Sequence, residues 1–200
     1  MRQVLHEPGD RIDYVYFPLD GMCCLLTVLN DGSAIEVATV GKEGMLGVGA
    51  FLHFDSYLWR GICQVPGRVL RLRVPDFKKE LDRAGNLSRS LRGYVHALLM
   101  KISQAAVCNR LHPTEQRLAK WLLLTHDRVG SDEFPLTHQF LSQMLGVRRA
   151  SVSEVAAKLQ QDGLIRYRRG VVTVLDRSRL EAISCECYSA IRAAFDRINL

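Results

Sequence analysis

Between Leu136 and Leu175 the chain gathers side chains suited to one kind of chemistry, the donation of hydrogen bonds to phosphate oxygens and base edges. Arg148, Arg149, Ser151, Ser153, Glu154 and Lys158 fall within eleven residues, and Arg166, Arg168 and Arg169 follow within the next eleven. A guanidinium is a planar fork that matches both a phosphate and the O6/N7 edge of guanine. From Leu145 to Arg179 eight basic residues stand against three acidic ones, a net +5, while the whole chain carries only +6. Charge concentrated on one module is the footprint of a phosphate binder.

The elements around these residues must present them. Thr137 to Leu164 reads as two short helices joined by a tight turn. In the first, Phe140, Leu141, Met144 and Leu145 share one face, Thr137 is placed to cap the free amides of the first turn, and Gly146 ends it. The second buries Val152, Val155, Ala156 and Leu159, turns Arg148, Arg149, Ser151, Glu154 and Lys158 outward, and stops at Gly163. These two helices alone fit a plain packed pair as well as a helix-turn-helix. The next stretch, LIRYRRGVVTVL over 164–175, alternates like a strand with a hairpin turn at Arg169-Gly170. A hairpin after the second helix is a wing, with Arg166, Arg168 and Arg169 placed to meet phosphates, and it favours the winged helix-turn-helix. Thr137, His138 and Gln139 stand where the first helix can touch backbone phosphate.

Other chemistry finds less support. His6, His53, His96, His112, His126 and His138 show no HxH or HExxH spacing, and no G-x-S-x-G, Walker A or G-x-G-x-x-G sequence is present, so no enzymatic constellation is expected. Cys23, Cys24 and Cys63 match no cluster spacing and read as small buried apolar residues. Cys185 and Cys187 are expected on one exposed terminal helix, where residues two apart point away from each other, so no metal site and no cofactor is expected. A thiol- or metal-responsive regulator stays open as an alternative.

A composition of 48% hydrophobic and 24% charged residues is that of a soluble globular protein. No apolar run approaches the roughly 18 to 20 residues of a membrane-spanning helix. The start, MRQVLHEPGDRID, lacks the apolar core of a signal peptide, so a cytoplasmic protein with reduced thiols is expected.

Residues 1–84 read as an antiparallel β-barrel or jelly roll. Strands are expected at Tyr14–Phe17, Met22–Leu29, Ser33–Val40, Trp59–Val65 and Arg68–Val74, with turns at Pro18–Gly21, Asn30–Gly32, Gly41–Gly44 and Pro66-Gly67. Residues 85–110 form a long helix in which Leu87, Leu91, Tyr94, Leu98, Ile102 and Ala105 recur every three or four positions, a stripe assigned to homodimerisation. The same stripe fits a helix lying wholly against its own domain. His112-Pro113 breaks the helix. Residues 111–179 make the winged helix-turn-helix unit, opening with a helix from Pro113-Thr114-Glu115, and residues 180–200 a C-terminal helix, read as running from Arg177 to Asn199. The fold class is α+β.

A barrel, a long helix, a hinge and a winged helix-turn-helix, in that order, resemble the Crp–Fnr family of bacterial transcription regulators over nearly the whole chain. The resemblance is strongest in LTHQFLSQMLGVRRASVSEVAAKLQQDGLIRYRRG, and NRLHPTEQRLAKWLLLTHDRVGSDEFPLTHQFLSQMLGVRRASV is similar to a branch without a defined effector. The resemblance leads to the expectation that an N-terminal piece usual in the family is short. The resemblance implies a DNA-binding homodimer on a near-palindromic operator, touching RNA polymerase if it activates. The family's base-reading arginine matches Arg149. The glutamate that often follows it is Ala150, a second base-reading arginine is replaced by Glu154, and the usual serine before the arginine is Arg148. The operator read should therefore differ from the best-known one.

The family's cyclic-nucleotide cassette needs a Gly-Glu start and an Arg-Ser or Arg-Thr pair. In GKEGMLGVGAFLHFDSYLWRGICQV the glycines are followed by Met45 or Val48, the Arg-Ser position falls near Tyr57-Leu58, and Arg60 precedes Gly61. No tight cyclic-nucleotide binding is expected, because a buried phosphate without a cation is costly. A competing reading, from another functional class, is a protein-interaction module that keeps the architecture without reading DNA.

Overall fold

The computed structural model describes residues 3–83 and 85–198; Ala84, the expected end of the barrel domain, and Asn199, the expected end of the terminal helix, lie outside them. The N-terminal half contains β1 (Val4–His6), β2 (Tyr14–Pro18), β3 (Met22–Val28), β4 (Ala34–Val40), α1 (Val48–Phe51), β5 (Arg60–Val65) and β6 (Val69–Arg73). Two antiparallel sheets form, one in the order β1-β5-β3-β4 and one pairing β2 with β6. The β3–β4 turn closes as Asn30-Asp31-Gly32 implied, with Gly32 at φ +82 and the Asp31 carboxylate accepting from the Ser33 amide at 2.9 Å.

The apolar run Met22–Leu26 serves two cores. Cys23 and Leu25 face the barrel interior with Val15, Met45 and Phe77, while Met22, Cys24 and Leu26 face the other way, toward the C-terminal half. A strand covered on both faces reads as a continuous apolar run rather than an alternating one.

Beyond the barrel come α2 (Val74–Asp82), α3 (Asn86–Leu111), α4 (Thr114–Val129), β7 (Glu133–Pro135), α5 (His138–Leu145), α6 (Arg149–Gln161), β8 (Ile165–Arg168), β9 (Val171–Val174), α7 (Arg177–Ile183) and α8 (Cys187–Asp196). Strands β7, β9 and β8 form a small antiparallel sheet in that order. Leu118, Leu122, Phe140, Leu141, Val152 and Leu159 make the core under α4, α5 and α6.

Several features depart from the sequence reading. Strand β1, the single turn α1 and helix α2 were not anticipated; α2 starts at Val74 with Pro75 in its first turn, where a missing amide costs nothing. The expected terminal helix is two helices, broken at Ser184, whose backbone is extended (φ −72, ψ 158). On α3, the stripe assigned to dimerisation faces inward: Leu91, Tyr94 and Leu98 are buried in the barrel core, and Leu87 and Ile102 pack against it half-buried. Ala105 is also half-buried. The barrel needs cover, and this face supplies it. The outward stripe of α3 is Leu99, Met100, Val107 and Leu111, which are 60%, 39%, 46% and 68% exposed.

Candidate nucleic-acid interface

The Thr137 hydroxyl caps α5 by accepting from the Phe140 amide at 3.2 Å. Gly146 ends that helix at φ +61, and a Cβ there would stand 2.7 Å from Ile35 Cδ1 on β4. The left-handed backbone favours glycine here, and any side chain would also require the Ile35 terminus to shift. The turn delivers the chain to α6, whose first residue is Arg149. Arg148, at its N-cap, has extended backbone and makes no side-chain cap, so the first amides of α6 stay open to an anion.

Arg148, Arg149, Glu154 and Gln139 are exposed, and Ser151 is half-buried. Among the described residues the guanidinium groups of Arg148 and Arg149 make no hydrogen bond or ion pair, so both are free to meet a ligand. Lys158 is exposed but engaged, its ammonium 2.7 Å from Glu115 on α4. A surface ion pair of this kind contributes roughly 0–1 kcal/mol and yields readily to a phosphate.

His138 and Ser153, assigned to DNA contact, are turned into the scaffold. Ser153 donates to the Arg149 carbonyl at 3.0 Å and lies 2.9 Å from His138 Nδ1. The serine proton is used on the carbonyl, so the imidazole donates from Nδ1. The ring also stacks on Tyr167 of β8, with centroids 4.3 Å apart. Burial, reinforced by the Arg149 charge, lowers the His138 pKa, which keeps the ring neutral at pH 7. Tyr167 donates to the Leu136 carbonyl at 2.8 Å, and its amide donates to the Gln160 side chain at 2.7 Å. Tyr167 was missed by sequence reasoning; its alternation with Arg166 and Arg168 was the available signal. Together these contacts fix α5, α6 and the wing as one rigid unit.

The wing carries the basic face. On β8, Ile165 is buried, Arg166 and Arg168 are exposed, and Tyr167 lies between them. Arg168 pairs with Val171, leaving the two-residue loop Arg169-Gly170 at φ +50 and +77. That is the hairpin turn compatible with strand twist, with an arginine in a backbone region where asparagine or glycine is usual.

The surface is therefore an accessible helix N-terminus with two free guanidiniums, beside a hairpin with three more arginines. The Crp-like helix-turn-helix domain profile matches residues 116–183, and the cyclic nucleotide-binding domain profile matches residues 1–84. The chain is 26% identical over 178 residues to the transcriptional regulator SdrP of Thermus thermophilus, covering 88% of this chain and 86% of that one. It is 21% identical over 176 residues to the global nitrogen regulator of a Nostoc species, covering 84% and 79%. Among solved structures it is similar to FixK2 from Bradyrhizobium japonicum (TM-score 0.78, 16% identity, 92% and 93% covered). It is likewise similar to a CRP-family regulator of Thermus thermophilus (TM-score 0.71, 21% identity, 92% and 93% covered). With both domain profiles in the family's order and the family's fold throughout, the chain belongs to the Crp–Fnr family of transcription regulators.

Proposed function

We propose that this regulator binds a near-palindromic operator as a cytoplasmic homodimer, reading bases through Arg149. The observation that carries this reading is the exposed, unpaired Arg149 guanidinium at the open N-terminus of α6, flanked by Arg148 and the wing. Two copies of α6, placed about 34 Å apart by a two-fold axis, would enter successive major grooves. The apolar stripe Leu99, Met100, Val107 and Leu111 supports dimerisation through α3, replacing the stripe assigned from sequence. In an activator the dimer would also touch RNA polymerase.

The barrel acts without a cyclic nucleotide. Its interior cavity, bounded by Leu25, Met45, Val48 and Tyr57, measures about 20 Å³, where ligand sites occupy roughly 300–1,000 Å³. Tyr57 fills the space, stacked on His6 with centroids 3.6 Å apart and donating to the Tyr14 carbonyl at 2.8 Å. Arg60 is paired with Glu7 at 2.7 Å.

Selection of bound fragments from random DNA tests the proposal. It is expected to return a two-fold symmetric consensus with half-sites one helical turn apart. Recovery of unenriched sequence would favour the protein-interaction reading.

A further inference from the structure

The break between α7 and α8 has a chemical consequence. Cys185 lies just before α8 and Cys187 is its first residue, so the two are not held on opposite sides of one helix. Both thiols turn toward the end of α3, where Cys108 and His112 stand one turn apart. The three sulfurs and one imidazole nitrogen lie within 4.8 Å of one another. Cys108 Sγ is 3.6 Å from Cys185 Sγ, and Cys187 Sγ is 3.4 Å from His112 Nδ1.

We propose that Cys108, His112, Cys185 and Cys187 form a tetrahedral zinc(II) site that fastens the α7–α8 junction to the hinge end of α3. Zinc–sulfur bonds of about 2.3 Å put the edges of a Cys₃His tetrahedron near 3.6–3.8 Å, close to the separations found. A multi-iron core would need its ligands further apart. Three thiolates and one imidazole suit zinc among the common divalent ions, and four protein ligands make a closed, structural type of site.

The surroundings are those of a metal site. His112 offers Nδ1 to the sulfur cluster while its Nε2 lies 3.2 Å from the Glu186 carboxylate. A carboxylate behind a ligand histidine fixes its tautomer and orientation. Gln104 donates to Cys187 Sγ at 3.2 Å. Lys120 is buried, and among the described residues its ammonium has one hydrogen-bond partner, Cys108 Sγ at 3.2 Å. A buried cation needs an anion beside it, and a thiolate answers that need. Zinc with three thiolates carries a net charge of −1, which Lys120 offsets. A cleft beside Cys185, Glu186 and Ser189 gives an ion a way in.

The test is metal content of the full chain, purified under reducing conditions from zinc-supplemented cells. About one zinc per chain is expected, and replacement by cobalt(II) should give the intense visible bands of a tetrahedral thiolate site. Glu186 is exposed, so Glu186→Ala should leave the fold intact while lowering zinc affinity about 10–100-fold against a chelating dye. Cys185→Ser should abolish the cobalt bands and Cys63→Ser should keep them. Wild-type protein without zinc and without thiolate–cobalt bands would overturn the site. So would iron with sulfide, or a Cys108–Cys185 disulfide in freshly isolated protein.

Discussion

Arg128 on α4 reaches the carboxylate of Glu43, in the turn after β4, with Nε 2.7 Å from Oε1, and so ties the DNA-binding half to the barrel. Trp121 Nε1 makes a second such link, donating to Glu36 at 3.0 Å. Lys101 from α3 is buried alongside, its ammonium donating to the Thr39 carbonyl at 2.8 Å and to the Thr39 hydroxyl. The side chains of Arg128 and Glu43 are only 6% and 18% exposed. Removing one member of a buried pair strands the other, at a cost of about 3–5 kcal/mol.

Glu43→Leu should lower unfolding free energy by that amount in urea titrations, and Glu43→Leu with Arg128→Met should recover much of the loss. Burial pushes the Glu43 carboxyl up, but Arg128 and Lys101 outweigh it and leave it below its ordinary 4.5. A depressed acid stabilises the fold above its unfolded pKa and loses that contribution as pH falls through the folded value. The wild type should therefore lose stability on acidification below pH 4.5 more steeply than Glu43→Gln. Parallel curves would show that the pair contributes nothing.

The proposed dimerisation assigns different roles to the two faces of α3. Leu99→Glu and Leu111→Glu place charge on exposed positions and should yield folded monomers in sedimentation, with weakened binding to a palindromic site. Leu91→Ala acts on the opposite face, where it should cost about 2–5 kcal/mol of stability while leaving the oligomeric state unchanged in the folded fraction. A dimer that survives Leu99→Glu with Leu111→Glu would move the interface elsewhere.

The wing should act through charge alone. Arg168→Ala is expected to weaken specific and random DNA equally and to reduce the slope of log affinity against log salt by about 1. Arg169 sits at φ +50, a conformation that costs a non-glycine residue on the order of 1 kcal/mol. Arg169→Gly should raise the melting temperature and lower DNA affinity together. A lower melting temperature would mean that the turn gains more from the arginine than it loses in strain.

Calorimetry with cyclic AMP and cyclic GMP should give no binding heat, because the barrel cavity of about 20 Å³ admits neither. Micromolar affinity for either would contradict the filled-barrel reading.

The parts of the molecule legible in advance were those decided locally. The Thr137 cap, the Gly146 stop, the Arg169-Gly170 turn and the five main barrel strands each follow from neighbouring residues. What escaped was decided by tertiary packing. The α3 stripe is broad enough for two partners, and periodicity does not say which flank meets the barrel. Ser184-Cys185-Glu186 contains neither glycine nor proline, so nothing in its composition marks the helix break. Helix α2 was hidden because Arg68–Val74 alternates up to a Pro75 that starts a helix rather than ending a strand. The approach of Cys108 to Cys185 joins residues 77 apart. His138 and Ser153 have the right chemistry for DNA, and the fold spends it on holding α5 to α6.

The central claim is that Arg149 reads bases. Its most direct measurement is the affinity of Arg149→Ala for the selected operator and for random DNA at one salt concentration. A lost bidentate guanine contact should cost about 1–3 kcal/mol on the operator, some 5- to 150-fold, and much less on random sequence, so the specificity ratio falls. An equal loss on both would make Arg149 a phosphate contact and contradict the account.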